Sequence, residues 1–322
     1  MGRVSRREML QRLGGAGLVL GGAAALARLR WDAGHPGGTG STDTPVTRDF
    51  RLKDAADRHP ELVVARNDAP AALVKKAVDA LGGMKRFVSR GDVVVVKPNI
   101  GWDRTPIHAA NTNPLVVAEV VRLALEAGAK KVIVTDASCN EPGRCFTRSG
   151  IWKAAYDAGA DVILPAAHRF RGMRLKGEVL DDWPVYTPLV EADKVINVPI
   201  AKHHNLARYT AAMKNWYGSL GGRRNRLHQN IDVSIADLAQ FMQPTLTVVD
   251  ANRVLMRNGP QGGNVADAKE MRTVIASTDQ VAADAFGCEL IGRTADEIPY
   301  LKMGHERGLG TMRWRDLRRV EI

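Results

Sequence analysis

Residues 201–222 read AKHHNLARYTAAMKNWYGSLGG and follow directly on the apolar run 195–200. An imidazole titrates near neutrality and can move a proton. An ammonium group holds a carboxylate or phosphate and offsets negative charge that develops on a substrate. Read as a helix after Pro199, the stretch puts His203, Ala207, Thr210 and Lys214 on one face. His203 and Lys214 then stand roughly 16 Å apart along the axis. That spacing excludes a shared metal ion and suits an elongated ligand. Adjacent histidines diverge, so at most one of His203 and His204 faces the ligand. The competing reading is a solvated amphipathic helix.

Polar residues also follow each of the other apolar runs. Lys97, Pro98 and Asn99 come after DVVVV (92–96), and Asp136 to Asn140 after KVIVT (131–135). Past KVINV (194–198) lie Lys202, His203, His204 and Asn205. After TLTVV (245–249) come Asp250 and Asn252, then Asn258-Gly259-Pro260-Gln261-Gly262-Gly263. Ser277 and Asp279 follow RTVIA (272–276). In open α/β sheets ligands sit beyond the carboxyl ends of the strands, where loop amides and helix N-termini converge. The candidate catalytic residues are therefore His203, His204, Lys97 and Lys214. The candidate substrate- or cofactor-binding residues are Asn99, Lys202, Asn215, Asp136, Asp250, Gly259 and Gly262. Lys97 has a structural alternative, an ion pair with Asp136. Gly218 to Gly222 could form a backbone anion nest, and the turn at 258–263 could be a plain turn.

Other chemistries lack their spacing. No G-x-S-x-G elbow, Walker loop or G-x-G-x-x-G after a strand is present. Asp250, Asp136, His203 and Asn99 are the convergent set that could hold a metal, without an H-E-x-x-H-like spacing, and the metal residues stay unassigned.

Positioning these groups requires a scaffold of alternating strands and helices. Short β-branched runs, including ELVVAR (61–66), alternate with helical patterns at 70–81, 113–128 and near 147–158, the sign of βαβ units. A further strand is expected at 161–164. Asn113-Pro114 places a capping asparagine before a first-turn proline. Ser277 to Gln280 and Thr294 to Glu297 fit capping boxes. The fold class is α/β, with a mainly parallel sheet flanked by helices, as one large domain or two lobes around a cleft.

The ends bound the setting. Ser5-Arg6-Arg7 precedes a Gly/Ala-rich apolar run, residues 13–27, that ends in Ala25-Leu26-Ala27. It reads as a twin-arginine export signal at 1–27 with small-residue cleavage, and the run is short for a permanent anchor. The alternative is a basic membrane-anchoring N-terminus. Residues 28–48 read as a flexible leader, and 49–322 as the folded part. Residues 1–27 carry four arginines and one glutamate, so the formal charge of +11 falls to +8 without them. The excess is spread out, which excludes a general nucleic-acid binder and favours a small anionic partner. The other expected partner is the twin-arginine translocation machinery, with no stable membrane anchor after cleavage and a periplasmic or extracytoplasmic location. Cys139, Cys145 and Cys288 make no C-x-x-C pair, so no iron–sulfur cluster is encoded, while a bound metal or organic cofactor stays open. Cys139 and Cys145 are near enough to bridge in an oxidising compartment.

Five stretches together resemble the domain-of-unknown-function 362 (DUF362) family: VVVVKPNIG (93–101), NTNPLVVAEVVRLALEAGAKKVIVTDAS (111–138), INVPIAKHHNLARYTAAMKNWYGSLGG (196–222), VVDANRVLMRNGPQGG (248–263) and STDQVAADAFG (277–287). The resemblance spans about 61–310 and implies an α/β domain whose specific activity is unassigned. Many relatives add a ferredoxin-like domain, for which this chain lacks the cysteines. The K-H…T…K-N…G segment is also similar to one in the nickel-pincer lactate racemase family. That similarity implies His203 or His204 as an acid–base group and Lys97, Lys202 or Lys214 as a cofactor or carboxylate contact. The expectation is an exported enzyme, racemase-like or associated with oxidoreductases, working on a small carboxylate or phosphate. The alternative is a cofactor-binding or redox-accessory protein without turnover.

Overall fold

Four consecutive valines, Val93 to Val96, suit a strand covered on both faces. The computed structural model describes residues 48–53 and 57–322, all within the compact unit Thr42–Ile322. Among the described residues the largest sheet has ten strands. They are β1 (Leu62–Arg66), β2 (Val93–Pro98), β3 (Lys131–Val134), β4 (Asp161–Val162), β5 (Lys194–Val198), β6 (Ile200–His204), β7 (Arg208–Thr210), β8 (Leu246–Leu255), β9 (Ala268–Ser277) and β10 (Arg319–Glu321). Eight lie in the order β10-β1-β9-β8-β5-β2-β3-β4, and β6 joins the edge of β8 with β7 beside it. Along that path only β9 runs against its neighbours.

Helices cover both faces. Val94 and Val96 pack with α1 (Pro70–Ala80), α2 (Pro114–Glu126), α3 (Pro142–Arg148) and α4 (Ile151–Asp157). Val95 points into the other core with α5 (Ala212–Asn215), α6 (Ile231–Phe241), α7 (Gln280–Glu289) and α8 (Pro299–Glu306). This strict alternation is the period of two of a strand buried on both sides. Asn113 caps α2 by accepting from Leu115 N at 2.9 Å, and Pro114 takes the first turn, where a missing N–H costs nothing.

Strand order locates the functional edge. From β2 the chain moves outward through β3 to β4; from β5 it moves the other way to β8. Adjacent parallel strands whose connections diverge leave a crevice at their carboxyl ends. Lys97, Pro98 and Asn99 stand at one lip, and β6 at the other.

Several elements differ from the expectation. The helix after Pro199 does not form, so His203, Ala207, Thr210 and Lys214 share no helical face. Instead Ile200–His204 is a strand, Arg208–Thr210 pairs back on it, and only Ala212–Asn215 is helical. The cause is remote in sequence. β8, ten residues long, runs well past Thr247, where β5 stops pairing, and its open edge takes β6 at Asp250 and Leu255. The helix near 147–158 is two helices, parted at Gly150 with φ +75°. Strand 161–164 shrinks to Asp161–Val162, while those at 245–249 and 272–276 extend into an antiparallel pair. At 277–280 the cap is Asp279, which accepts from Val281 N and Ala282 N; Ser277 Oγ donates to Glu61 O instead. At 294–297 the capping box is present. The signal at 1–27 and all of the 28–48 leader except Arg48 lie outside the described residues.

Candidate functional site

The crevice holds a cavity of about 430 Å³. Six of the expected residues line it: Asn99, Asp136, Lys202, His204, Lys214 and Asn215. Lys97 stands behind the wall, and His203, Asp250, Gly259 and Gly262 do not line it.

Each position follows from local structure. Strand alternation turns Lys202 and His204 to one side of β6 and His203 to the other. Across the hairpin Thr210 faces Lys202, and it too lines the cavity. Lys214 and Asn215 ride on α5, whose first amides are fixed from another layer. Asp284 of α7, fully buried, accepts from Ala212 N at 2.6 Å and Met213 N at 2.9 Å. Burial drives the Asp284 carboxyl up to about 7.

Lys97 is ion-paired behind the cavity wall. Its Nζ donates to Asp136 Oδ1 at 2.6 Å and Pro98 O at 3.1 Å, and Asp136 Oδ2 accepts from Ile100 N at 2.7 Å. Burial lowers the Lys97 pKa, and the Asp136 charge opposes that shift. A Cβ on Gly218 would fall 1.8 Å from Asp136 Oδ1 and 2.7 Å from Lys97 Nζ. The glycine there is needed for close approach to this pair. Gly259 is similar: a Cβ would lie 1.9 Å from His203 O. Asp250 ties the start of α2, accepting from Asn113 N at 2.7 Å and from Asn252 N and Nδ2.

The cavity wall itself is cationic. Lys202 Nζ donates to Asn99 Oδ1 at 2.7 Å and Ala110 O at 2.5 Å, both uncharged acceptors. Lys214 Nζ lies 4.2 Å from the centre of the Tyr217 ring. Among the described residues neither ammonium has a carboxylate within ion-pair distance. Burial, then the nearby Lys214 charge, bring Lys202 down to about 7, and burial brings Lys214 down to about 8.

The histidines divide by tautomer. His204 Nδ1 accepts from Leu206 N and Ala207 N, both at 3.2 Å. A proton on Nδ1 would face two donors, so the ring stays neutral with its hydrogen on Nε2. Burial and the neighbouring lysines hold its pKa down to about 2. The Nε2–H of His204 is thus left as a hydrogen-bond donor. His203 Nδ1 accepts from Gly259 N at 3.2 Å, outside the cavity.

Sequence reasoning missed His228, Arg224, Tyr217 and Cys139, all cavity-lining. His228 packs 6.1 Å from the His204 ring and 5.5 Å from that of Tyr217. Its Nδ1 lies 3.3 Å from Asn225 O, a pure acceptor, which puts the hydrogen on Nδ1 and leaves Nε2 to take a proton. Arg224 is a brace: its guanidinium donates to Ala137 O, Tyr217 O and Ser138 O. The one sequence signal for either was the basic run after the glycine cluster. Cys139, Cys145 and Cys288 are free, so the bridge between the first two is absent.

The family model described as "Domain of unknown function (DUF362)" matches residues 94–289. Among curated proteins, thylakoid-associated protein sll1697 of Synechocystis sp. is 25% identical over 248 residues, covering 74% of this chain and 75% of that protein. Among solved structures, the lactate racemase apoprotein from Thermoanaerobacterium thermosaccharolyticum matches at 12% identity with a TM-score of 0.43, over 76% of this chain. The match spans 59% of that structure's length. A score that low bears on neither substrate nor mechanism.

Proposed function

The chain belongs to the DUF362 family, and we propose that it is an exported enzyme that binds a small carboxylate or phosphate in the switch-point cavity and moves a proton on it. The observation that carries this reading is the pair of ammonium groups, Lys202 and Lys214, that line one cavity without a carboxylate at ion-pair distance among the described residues. Uncompensated cations in a low-dielectric concavity attract anions strongly. Lys214 is the anion contact, and the His204 Nε2–H is a neutral donor that orients the ligand. Lys202, brought down to about 7 by burial, exchanges a proton near neutrality, and His228, whose pKa burial and the Lys214 charge lower, offers a free Nε2 to relay it. The expected acid–base role for His203 or His204 passes to these two.

Export rests on the arginine pair at 6–7 ahead of the apolar run, and the name of the thylakoid-associated relative is compatible with a place at or beyond a membrane. Among the described residues no helix is long and apolar enough to cross one.

The test is calorimetric titration at low salt with oxalate and with inorganic phosphate. The wild type binds at least one of them saturably at one site per chain, and Lys214→Ala weakens that binding about tenfold or more, the loss of one charge-assisted contact. Equal affinity in the variant would remove the cavity from consideration. Fractionation of cells expressing the Arg6→Lys, Arg7→Lys double variant tests export, which is expected to stop.

A further inference from the structure

A buried amine without a counter-charge sheds its proton more readily than one that is ion-paired. Lys97 and Lys202 are 0% and 3% exposed, and only Lys97 touches a carboxylate. Resting on the anion-binding reading above, we propose that Lys202 is an amine nucleophile. Its partner is a small oxo acid or aldehyde acid whose carbonyl carbon meets Lys202 Nζ while its anionic end meets Lys214.

The geometry at the nitrogen carries this. The bond to Cε and the two hydrogen bonds, to Asn99 Oδ1 and Ala110 O, occupy three of four tetrahedral directions. The fourth holds a proton in the ammonium form and a lone pair in the amine form. Asn99 and Ala110 are neutral acceptors, so both forms keep the same two hydrogen bonds and losing the proton breaks no contact. Lys214 raises the cost of charge on Lys202, which is how a second cation activates a lysine. The other two lysines are unsuited. Lys97 is committed to Asp136, and Lys214 sits over the Tyr217 ring, an arrangement that favours its charged form.

The step balances without an oxidant. The Lys202 lone pair attacks the carbonyl carbon, and the π pair moves to oxygen. A proton leaves nitrogen and another is added at oxygen, giving a carbinolamine. Loss of water then gives the imine, so that amine plus carbonyl yields imine plus water. His228, which lines the same cavity with Nδ1–H directed to Asn225 O, has Nε2 available to carry the proton from nitrogen to the departing hydroxyl.

The experiment uses the full chain, glyoxylate as the probe and cyanoborohydride as the trap, at pH 7. Intact mass gives the stoichiometry, and peptide mapping gives the site. The expected result is one carboxymethyl adduct per chain, on Lys202. Its free-amine fraction at pH 7 is about a thousandfold above that of an ordinary lysine, so it reacts first. The labelling rate levels off above about pH 7 rather than climbing towards the range of ordinary lysines. Lys202→Met loses the adduct; the wild-type peptide map keeps the test decisive even if that variant folds poorly. An adduct spread evenly over many lysines, or none at Lys202, overturns the proposal. Oxalate, which offers no reactive carbonyl, separates the two readings. Oxalate binding without a Lys202 adduct overturns the nucleophile and leaves the anion cleft standing. A Lys202 adduct that oxalate and Lys214→Ala leave unchanged upholds the nucleophile and overturns the anion contact.

Discussion

Lys97 and Lys202 stand at the same edge of the same sheet, both sealed from solvent, and one carboxylate separates their chemistry. Lys97 has Asp136 at 2.6 Å and supports the wall of the cavity. Lys202 has an amide oxygen and a carbonyl oxygen, and it is the wall. In the first region charge is balanced and fixed in place. In the second it is left unbalanced where a ligand can balance it. A buried lysine is therefore not informative by itself; the charge of its nearest acceptor decides whether it holds the fold or performs chemistry.

Stability measurements can break that comparison most directly. Lys97→Met leaves the Asp136 carboxylate buried without its cation, a loss of about 3–5 kcal/mol. Lys202→Met strips two neutral acceptors of a donor but removes an uncompensated amine, so its cost stays about 1–3 kcal/mol at most. Urea unfolding midpoints, with unchanged slopes, report both. Equal losses would mean that the two lysines are energetically alike and the contrast is false.

Gly218→Ala sharpens the same point from the backbone side. Its Cβ would drive Asp136 Oδ1 away from Lys97, an overpacking strain of about 1–3 kcal/mol. In the double variant with Lys97→Met the two losses fall short of additivity, because both act on one ion pair. Full additivity, measured by the same unfolding curves, would show that Gly218 acts elsewhere.

The unpaired region makes a pH prediction. An anion favours protonated Lys214, whose pKa in the free protein is brought down to about 8 by burial. Lys202, at about 7, sheds its charge first, so affinity for oxalate begins to fall near pH 7 and falls about tenfold per unit or more once pH passes 8. An ordinary lysine would hold the affinity level to about pH 10. Titration calorimetry at pH 7, 8 and 9 distinguishes the two.

Much of the scaffold was legible, because strands β2, β3 and β5 are β-branched runs and Asn113-Pro114 announces its own helix start. The polar residues after those runs gather at the edge of the sheet where the cavity lies, since parallel strands place all their carboxyl ends together. What was illegible depended on contacts remote in sequence. Nothing in residues 200–210 says that β8 outlasts β5 and offers an edge, so a hairpin was read as a helix, and the choice between His203 and His204 stayed open. His228 and Arg224 follow no strand, and they reach the cavity because Arg224 is fastened to three carbonyls at 137, 138 and 217. Gly218 looked like part of an anion nest, and its reason is a side-chain pair from two other strands' ends.

The smallest effect tests the histidine assignment. In the folded chain His204 stays neutral far below the range of an unfolded histidine, 6.5, because burial and then the neighbouring lysines oppose its charge, and two backbone amides already point at Nδ1. Below pH 6.5 the unfolded chain therefore binds a proton that the folded chain refuses. The stability this neutral ring supports is complete above pH 6.5 and declines as pH falls through that value. One unit lower, at pH 5.5, the decline is about 1.4 kcal/mol. His204→Gln keeps an acceptor and cannot titrate, so between pH 7.5 and 5.5 it should lose about 1.4 kcal/mol less than the wild type does. Other titrating groups, Asp284 among them, contribute alike to both chains and cancel in that difference. Equal losses would mean that His204 takes up a proton in the folded chain. His204 would then rejoin the proton-moving groups, and the division of labour between it and His228 would have to be redrawn.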